Sequence, residues 1–223
     1  GSRAGIWRLQ RLLEARGVPV TVFAGAVALE RNPQVAAWLR DSEHEICSHG
    51  WRWEEVWKLS REEERAHIAA AVASFEATCG RRPRGWYCRY GPSVHTRDLL
   101  VEEGGFEYDA DAYNDDLPYF VQAGGKPHLV VPYTFTYNDA RFVAGTGYGS
   151  PADFLDNLRR GFDQLWDEGA SAPRMMSIGL HPRLVGQASR AHALAEFLDH
   201  ARAKGAVWFA TRLDIARWWQ AHH

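Results

Sequence analysis

The stretch HEICSHGWRW (residues 44–53) shows most directly how this chain folds. It begins with a short apolar run, changes to Ser48 and His49, and turns through Gly50. A short apolar run that ends in polar residues at a turn is typical of a buried strand in a parallel sheet. We therefore predict a strand over 44–48 and place His49 at its carboxyl end.

Helical and strand patterns alternate along the rest of the chain. Ser60 with Glu63 forms a capping box, and Gly17 stands where a helix C-cap is expected. Predicted strands lie at 18–25, 44–48, 85–88, 106–111, 128–135, 174–181 and 206–210, and predicted helices at 4–16, 33–41, 61–78, 94–103, 151–168, 189–203 and 212–220. This alternation predicts an α/β fold with parallel strands and outer helices. The irregular stretches 112–127 and 136–150 are candidate binding loops.

Length and composition limit the possible functions. A chain of 223 residues with 46% hydrophobic residues fits one folded domain. A net charge of −2 indicates neither a nucleic-acid nor a membrane-surface partner, and no apolar run approaches the roughly 18 residues that span a bilayer. The three cysteines share no metal-like spacing, which favours reduced thiols and a cytoplasmic location.

Polar side chains follow several of the predicted strands where each strand ends. They are His49, Arg89, Asp109, Asp111, the stretch 133–137, and His181. Because the chemistry of parallel α/β folds gathers at the carboxyl ends of the strands, we expect these groups to share one cavity. An imidazole there can act as a general acid or base near neutral pH, or bind a metal ion.

Each candidate also has a purely structural interpretation. Either histidine could be a core residue bonded to backbone, and Arg89 could form an internal salt bridge with Asp109 or Asp111. Trp51 and Trp53 could line an aromatic wall. The sequence alone leaves these alternatives open.

Three motifs carry a resemblance to a known family. SHGWRW (48–53), CRYGPS (88–93) and SIGLH (177–181) resemble, in that order, motifs of the NodB-homology polysaccharide deacetylase family. The resemblance implies a distorted (β/α) barrel of about seven strands. The family's amino-terminal segment, with its first strand and acidic residues, has no counterpart here. We therefore expect a single catalytic domain over residues 1–223 that is truncated at its amino terminus.

The chain departs from the family pattern at one decisive position. Trp53 stands where the family has its second metal-binding histidine, and an indole N–H cannot ligate zinc. With GWYCRYGPS (85–93) and YDADAYNDDLPY (108–119), the chain is similar to the metal-independent allantoinase branch, which hydrolyses the cyclic amide of allantoin. The resemblance thus implies a hydrolase of carbon–nitrogen bonds other than peptide bonds, with no cofactor and a small cyclic amide as its partner.

We expect the residues of the site to have separate roles. The predicted catalytic residues are His181, His49 and Asp111, and the predicted substrate-binding residues are Arg89, Trp51, Trp53 and Tyr90. His181, or an acidic group from the missing segment, would take a proton from water, while His49 and Arg89 would hold the tetrahedral intermediate. Asp111 would position a substrate N–H or a catalytic histidine.

Two alternatives from other functional classes stay open. The first is a metal-dependent deacetylase that holds Zn²⁺ with His49, His181 and Asp111. The second is an inactive fragment or a binding relative. The resemblance further suggests a homo-oligomer such as a tetramer.

Overall fold

The computed structural model describes residues 1–223, and the chain divides into two compact units. Unit 1 comprises Gly1–Val18 and Tyr133–Phe209, and unit 2 comprises Pro19–Pro132 and Ala210–His223. Unit 2 contains the sheet, whereas the regular structure of unit 1 is helical. The single domain over residues 1–223 stays a prediction.

The sheet of unit 2 has six strands, which are β1 (Thr21–Ala24), β2 (Glu45–Ser48), β3 (Gly85–Trp86), β4 (Tyr108–Asp109), β5 (Tyr119–Ala123) and β6 (Lys126–Val130). Their order is β1-β2-β3-β4-β6-β5, and all neighbours are parallel except the β5–β6 hairpin. Ser48 lies opposite Trp86, and Trp86 lies opposite Asp109. The residues that follow β2, β3 and β4 therefore begin at the same edge of the sheet.

Helices cover the sheet of unit 2 and complete its core. They are α2 (Ala26–Glu30), α3 (Pro33–Arg40), α4 (Arg61–Cys79), α5 (Thr96–Glu103) and α8 (Arg212–His222). The capping box of Ser60 and Glu63 is present and begins α4, as the sequence predicts. Phe75 of α4 is fully buried, as are Trp86 and Tyr108 of the sheet. Burial of such large apolar side chains is the main source of stability for the unit.

Unit 1 is built on α1 (Gly5–Glu14), α6 (Pro151–Glu168) and α7 (Ala188–Lys204). Helix α6 packs on α7, and the rings of Phe162 and Phe197 meet edge to face at 5.8 Å between centroids. A 3₁₀ turn covers Asp139–Val143, and the preceding Asn138 forms an isolated parallel bridge with Gly179. None of the helices of the chain combines the length and the apolar character needed to cross a membrane.

The α/β class with parallel strands is confirmed, but two predicted strands are wrong. The segment 174–181 makes only the bridge at Gly179, because the chain beside it turns into the 3₁₀ helix at once. The segment 206–210 begins with two positive φ angles, 69° at Gly205 and 52° at Ala206, which interrupt an extended backbone. Strand β5, in contrast, lies inside the stretch predicted as a loop. The sheet therefore has six strands and is open at β1 and β5.

Candidate active site

His49 is the first residue after β2, and its imidazole is held in one orientation. Its Nδ1 lies 2.7 Å from the carbonyl oxygen of Tyr87. A carbonyl only accepts hydrogen bonds, so Nδ1 carries the proton and the lone pair of the neutral ring is on Nε2. The ring also stacks on that of Tyr87 at 5.1 Å and 11°, and Tyr87 stacks on Phe23 at 4.9 Å. His49 can therefore bind a hydrogen donor or take a proton at Nε2.

Arg89 follows β3 and is held by aromatic rings instead of acids. Its Cζ lies 4.9 Å from the ring centre of Trp53 and 4.4 Å from that of Tyr90. Its Nε is buried without a hydrogen-bond partner, and its guanidinium forms no ion pair within unit 2. The alternative of a salt bridge with Asp109 or Asp111 is therefore wrong. Cation–π contacts position this group while leaving its N–H donors for an oxygen of a ligand.

Tyr90 reaches this place through an unusual backbone. Its φ is +64°, in the left-handed region that residues with a Cβ rarely adopt. Such a conformation costs on the order of 1 to 2 kcal/mol and persists where surrounding contacts hold it, which is common at functional sites. The ring is largely exposed, and it lies 6.3 Å from the ring of Trp53. Three of the four predicted substrate-binding residues, Arg89, Trp53 and Tyr90, thus lie together.

Asp109 and Asp111 lie together but have different partners. Asp109 accepts hydrogen bonds from Arg97 at 2.9 Å and from His128 at 3.0 Å. Burial favours the neutral acid, but these two donors outweigh it and lower the pKa of Asp109. Both oxygens of Asp111 accept from the backbone N–H of Cys88, at 2.9 and 3.1 Å. Burial, and then the charge of Asp109, raise the pKa of Asp111 to about 7.

Trp51 contacts a different arginine, Arg52. The Cζ of Arg52 lies 4.3 Å from the ring centre of Trp51, and the backbone N–H of Trp51 donates to Nε2 of His67 at 3.0 Å. Burial lowers the pKa of His67, in keeping with a neutral ring that accepts at Nε2. The indoles of Trp51 and Trp53 therefore contact different arginines. Their role as one flat wall stays a prediction.

His181, in unit 1, forms a short pair with a carboxylate. Its Nδ1 donates to Oδ1 of Asp139 at 2.6 Å. Oδ2 of Asp139, which is fully buried, accepts from the backbone N–H groups of His181 at 2.7 Å and Val185 at 3.0 Å. The partly exposed imidazole thus has its lone pair on Nε2, as in a histidine that acts as a general base with an orienting aspartate. The shared cavity for residues 49, 89 and 181 stays a prediction.

Sequence reasoning missed Asp139. The residue lies 42 positions before His181, in the stretch 136–150 that we predicted only as a binding loop. The one available signal was the dipeptide Asn138-Asp139 in a loop predicted to bind, directly after a run of aromatic residues and threonines. Nothing local indicates which histidine such a carboxylate would orient.

The donor atoms of unit 2 do not fit a metal ion. Trp53 offers only an N–H donor, and the guanidinium of Arg89 against its ring is already a cation. Both oxygens of Asp111 are occupied by the N–H of Cys88, and burial raises the pKa of the Cys88 thiol well above its ordinary value. Within either unit, no three His, Cys, Asp or Glu side chains are grouped to hold a metal ion. Hydrolysis without a cofactor stays a prediction.

The chain is similar in sequence to polysaccharide deacetylases over its whole length. The sequence profile described as "Polysaccharide deacetylase" matches residues 1–108. A Schizosaccharomyces pombe protein assigned to the polysaccharide deacetylases is 36% identical over 240 residues, which covers 100% of this chain and 75% of the relative. The chain belongs to the polysaccharide deacetylase family.

Two solved members of similar structure extend this result. The crystal structure of PuuE allantoinase matches with a TM-score of 0.95 and 46% identity, covering 100% of this chain and 74% of that one. A probable polysaccharide deacetylase from Pseudomonas aeruginosa matches with a TM-score of 0.94 and 47% identity, covering 100% and 75%. The predicted fold type is thus confirmed. This polysaccharide deacetylase family member is a hydrolase of carbon–nitrogen bonds.

Proposed function

We propose that this polysaccharide deacetylase family member opens the ring of a small cyclic amide, such as allantoin, without a metal ion. The 46% identity to PuuE allantoinase over the whole chain supports the substrate class. The observation that carries the proposal is the guanidinium of Arg89, whose Cζ lies 4.9 Å from the ring centre of Trp53 and 4.4 Å from that of Tyr90 and which forms no salt bridge with Asp109 or Asp111.

Arg89 supplies the positive charge for the reaction. When water attacks an amide carbonyl, the oxygen becomes an oxyanion, and a fixed cation lowers the energy of that intermediate. The planar guanidinium can donate two parallel hydrogen bonds, which suits the carbonyl groups of a flat cyclic amide. Trp53 and Tyr90 restrict its motion, so little rearrangement is needed when the charge develops.

His181 moves the proton. Its Nε2 takes a proton from the attacking water as the new C–O bond forms, and Asp139 stabilises the imidazolium. The same imidazolium then gives the proton to the ring nitrogen as the C–N bond breaks. His49 accepts one hydrogen bond at Nε2 and so orients a donor group of the substrate.

A small cyclic amide suits this set of groups. Without a Lewis acid, no group lowers the pKa of a bound water to about 7, so an imidazole must activate the water. A strained or electron-poor ring amide is easier to attack than the acetamido group of a sugar. The donor atoms in unit 2 and the proposed substrate are therefore chemically consistent.

The test is a substrate and metal screen on the purified chain. Allantoin, hydantoin, dihydrouracil, succinimide and N-acetylglucosamine oligomers are incubated with the protein in EDTA and again with added Zn²⁺. We expect ring opening of a cyclic amide that EDTA does not change. Deacetylation that is lost in EDTA and restored by Zn²⁺ would replace this proposal with the metal-dependent alternative.

Arginine variants test the role of the guanidinium. Arg89→Ala should lower kcat/KM by about 10²- to 10³-fold, the range found for loss of an oxyanion donor. Arg89→Lys keeps the charge but loses the paired donors and should recover only part of the rate. Arg52→Ala is the matched control, since Arg52 also lies over an indole but is exposed, whereas Arg89 is partly buried. Equal losses in the variants of Arg89 and Arg52 would contradict the assignment.

A further inference from the structure

Two hydrogen bonds of the candidate site meet on a single peptide group. The backbone N–H of Cys88 donates to both oxygens of Asp111, at 2.9 and 3.1 Å. The carbonyl oxygen of Tyr87 accepts from Nδ1 of His49 at 2.7 Å. The carbonyl of residue 87 and the N–H of residue 88 are the two ends of one planar, conjugated amide. Carboxylate, peptide group and imidazole therefore form a continuous chain.

We propose that Asp111 is a positioning residue that acts on His49 through the Tyr87–Cys88 peptide group. The carboxylate draws the N–H toward itself, which increases the negative charge on the carbonyl oxygen of Tyr87. That oxygen then holds the Nδ1–H of His49 more strongly and keeps the lone pair on Nε2. The consequence for catalysis rests on the proposed function, but the effect on the imidazole does not.

The surroundings favour such transmission. Asp111, Tyr87 and Cys88 are all buried, so water does not screen the polarisation. Hydrogen bonds in a chain strengthen one another by roughly 10–30% each, and those to a charged acceptor are the strongest. The imidazole of His49 stacks on the ring of Tyr87, which limits its rotation and keeps Nδ1 directed at the carbonyl oxygen of Tyr87.

The competing explanation is that Asp111 only satisfies the N–H of Cys88 at the end of β3. Any acceptor would then serve, charged or not. The variant Asp111→Asn distinguishes the relay from this competing explanation, because Asn keeps an acceptor of the same shape and removes the charge. Since burial raises the pKa of Asp111 to about 7, the comparison is made at about pH 8.5, where the carboxylate is ionised.

The measurement is nitrogen NMR of protein labelled with ¹⁵N-histidine, which reports the tautomer of each ring. The signals of His49 are assigned by their loss in His49→Gln. We expect the wild-type ring to be mainly the Nδ1–H tautomer, and the ratio of Nδ1–H to Nε2–H to fall at least about threefold in Asp111→Asn. Asp115→Asn is the control, because Asp115 accepts from the N–H of Leu117 and does not contact the 87–88 peptide.

An ester in place of the 87–88 amide, introduced by protein semisynthesis, is the second variant. It removes the N–H but leaves Asp111 intact, so it should shift the ring of His49 in the same direction. If Asp111→Asn does not fold, an unshifted ring in the ester variant still overturns the proposal. Signals of His49 that match wild type in whichever of these variants folds overturn the proposal.

Kinetics add a second readout on any substrate that the enzyme turns over. Asp111→Asn should lower kcat by about 10- to 100-fold with KM within about twofold, less than the roughly 10⁴-fold loss when a directly bonded triad aspartate is replaced. An unchanged kcat would refute the catalytic consequence. A shifted tautomer in a protein that opens no cyclic amide would uphold the relay and reject only the proposed substrate.

Discussion

The free energy of unfolding of Asp111→Asn, relative to that of the wild type, should increase as the pH rises. Asp111 is 8% exposed, and burial together with the charge of Asp109 raises its pKa from 3.8 to about 7. In the unfolded chain the carboxyl recovers its ordinary pKa of about 3.9. The folded state therefore binds this proton more tightly than the unfolded state. The contribution of Asp111 to the free energy of unfolding therefore decreases as the pH rises from about 4 to about 7, and it is constant above about pH 7.

The magnitude follows from the two pKa values. Each pH unit between them is worth about 1.4 kcal/mol, so the ionised Asp111 destabilises the folded state by about 4 kcal/mol at pH 8. At pH 5 the same linkage amounts to only about 1.5 kcal/mol, because pH 5 is only about one unit above the pKa of the unfolded carboxyl. The altered hydrogen bond to Cys88 in the variant is the same at both pH values. The stability of Asp111→Asn relative to wild type should thus rise by about 2.5 kcal/mol from pH 5 to pH 8.

Urea unfolding at the two pH values measures this difference, followed by tryptophan fluorescence and far-ultraviolet circular dichroism. Glu107→Gln is the control. A hydrogen bond from Arg217 lowers the pKa of Glu107, so that carboxyl is largely ionised in both states at pH 5 and above. Its effect on stability should be nearly the same at both pH values. A relative stability of Asp111→Asn that stays constant or falls would refute the reasoning.

Four further substitutions test other parts of the structure. Ser60→Ala should lower the free energy of unfolding by about 1 kcal/mol, because it removes the cap of α4. Gly179→Ala should cost about 1 to 3 kcal/mol in the same assay, because its Cβ would lie 2.2 Å from the hydroxyl of Tyr133. Asp139→Asn should lower kcat by about 10²-fold or more in steady-state assays, since Asn no longer holds the proton of His181 on Nδ1. Trp53→His should show no zinc binding by calorimetry, because Arg89 remains beside the new imidazole.

The strand ends were predictable because two local signals agree there. At His49 and at Arg89 an apolar run stops and a polar side chain follows. The structure places His49 directly after β2 and Arg89 three residues after β3 of the same sheet. Helix α4 was predictable for a similar reason, since Ser60 and Glu63 act on each other within one turn. Such features need no knowledge of distant residues.

Distant partners account for what the sequence could not show. The segment 174–181 has strand-like composition, but a strand forms only beside a partner, and the neighbouring chain leaves after one bridge. The sequence could not show which residues Arg89 contacts, for the same reason. Asp109 pairs with Arg97 and His128, and neither partner is indicated by the local sequence around Asp109.

The indole at position 53 and the unpaired guanidinium of Arg89 are physically coupled. A histidine there would offer a lone pair, whereas the indole offers an electron-rich face, and Arg89 lies 4.9 Å from its centre. A divalent ion about 5 Å from that guanidinium would meet a repulsion of about 7 kcal/mol at an effective dielectric constant of about 20. One residue change thus removes a metal ligand and stabilises a cation borne by the protein. Restoring the ligand alone leaves this repulsion in place, so Trp53→His should bind zinc less tightly than the same variant that also lacks the Arg89 guanidinium.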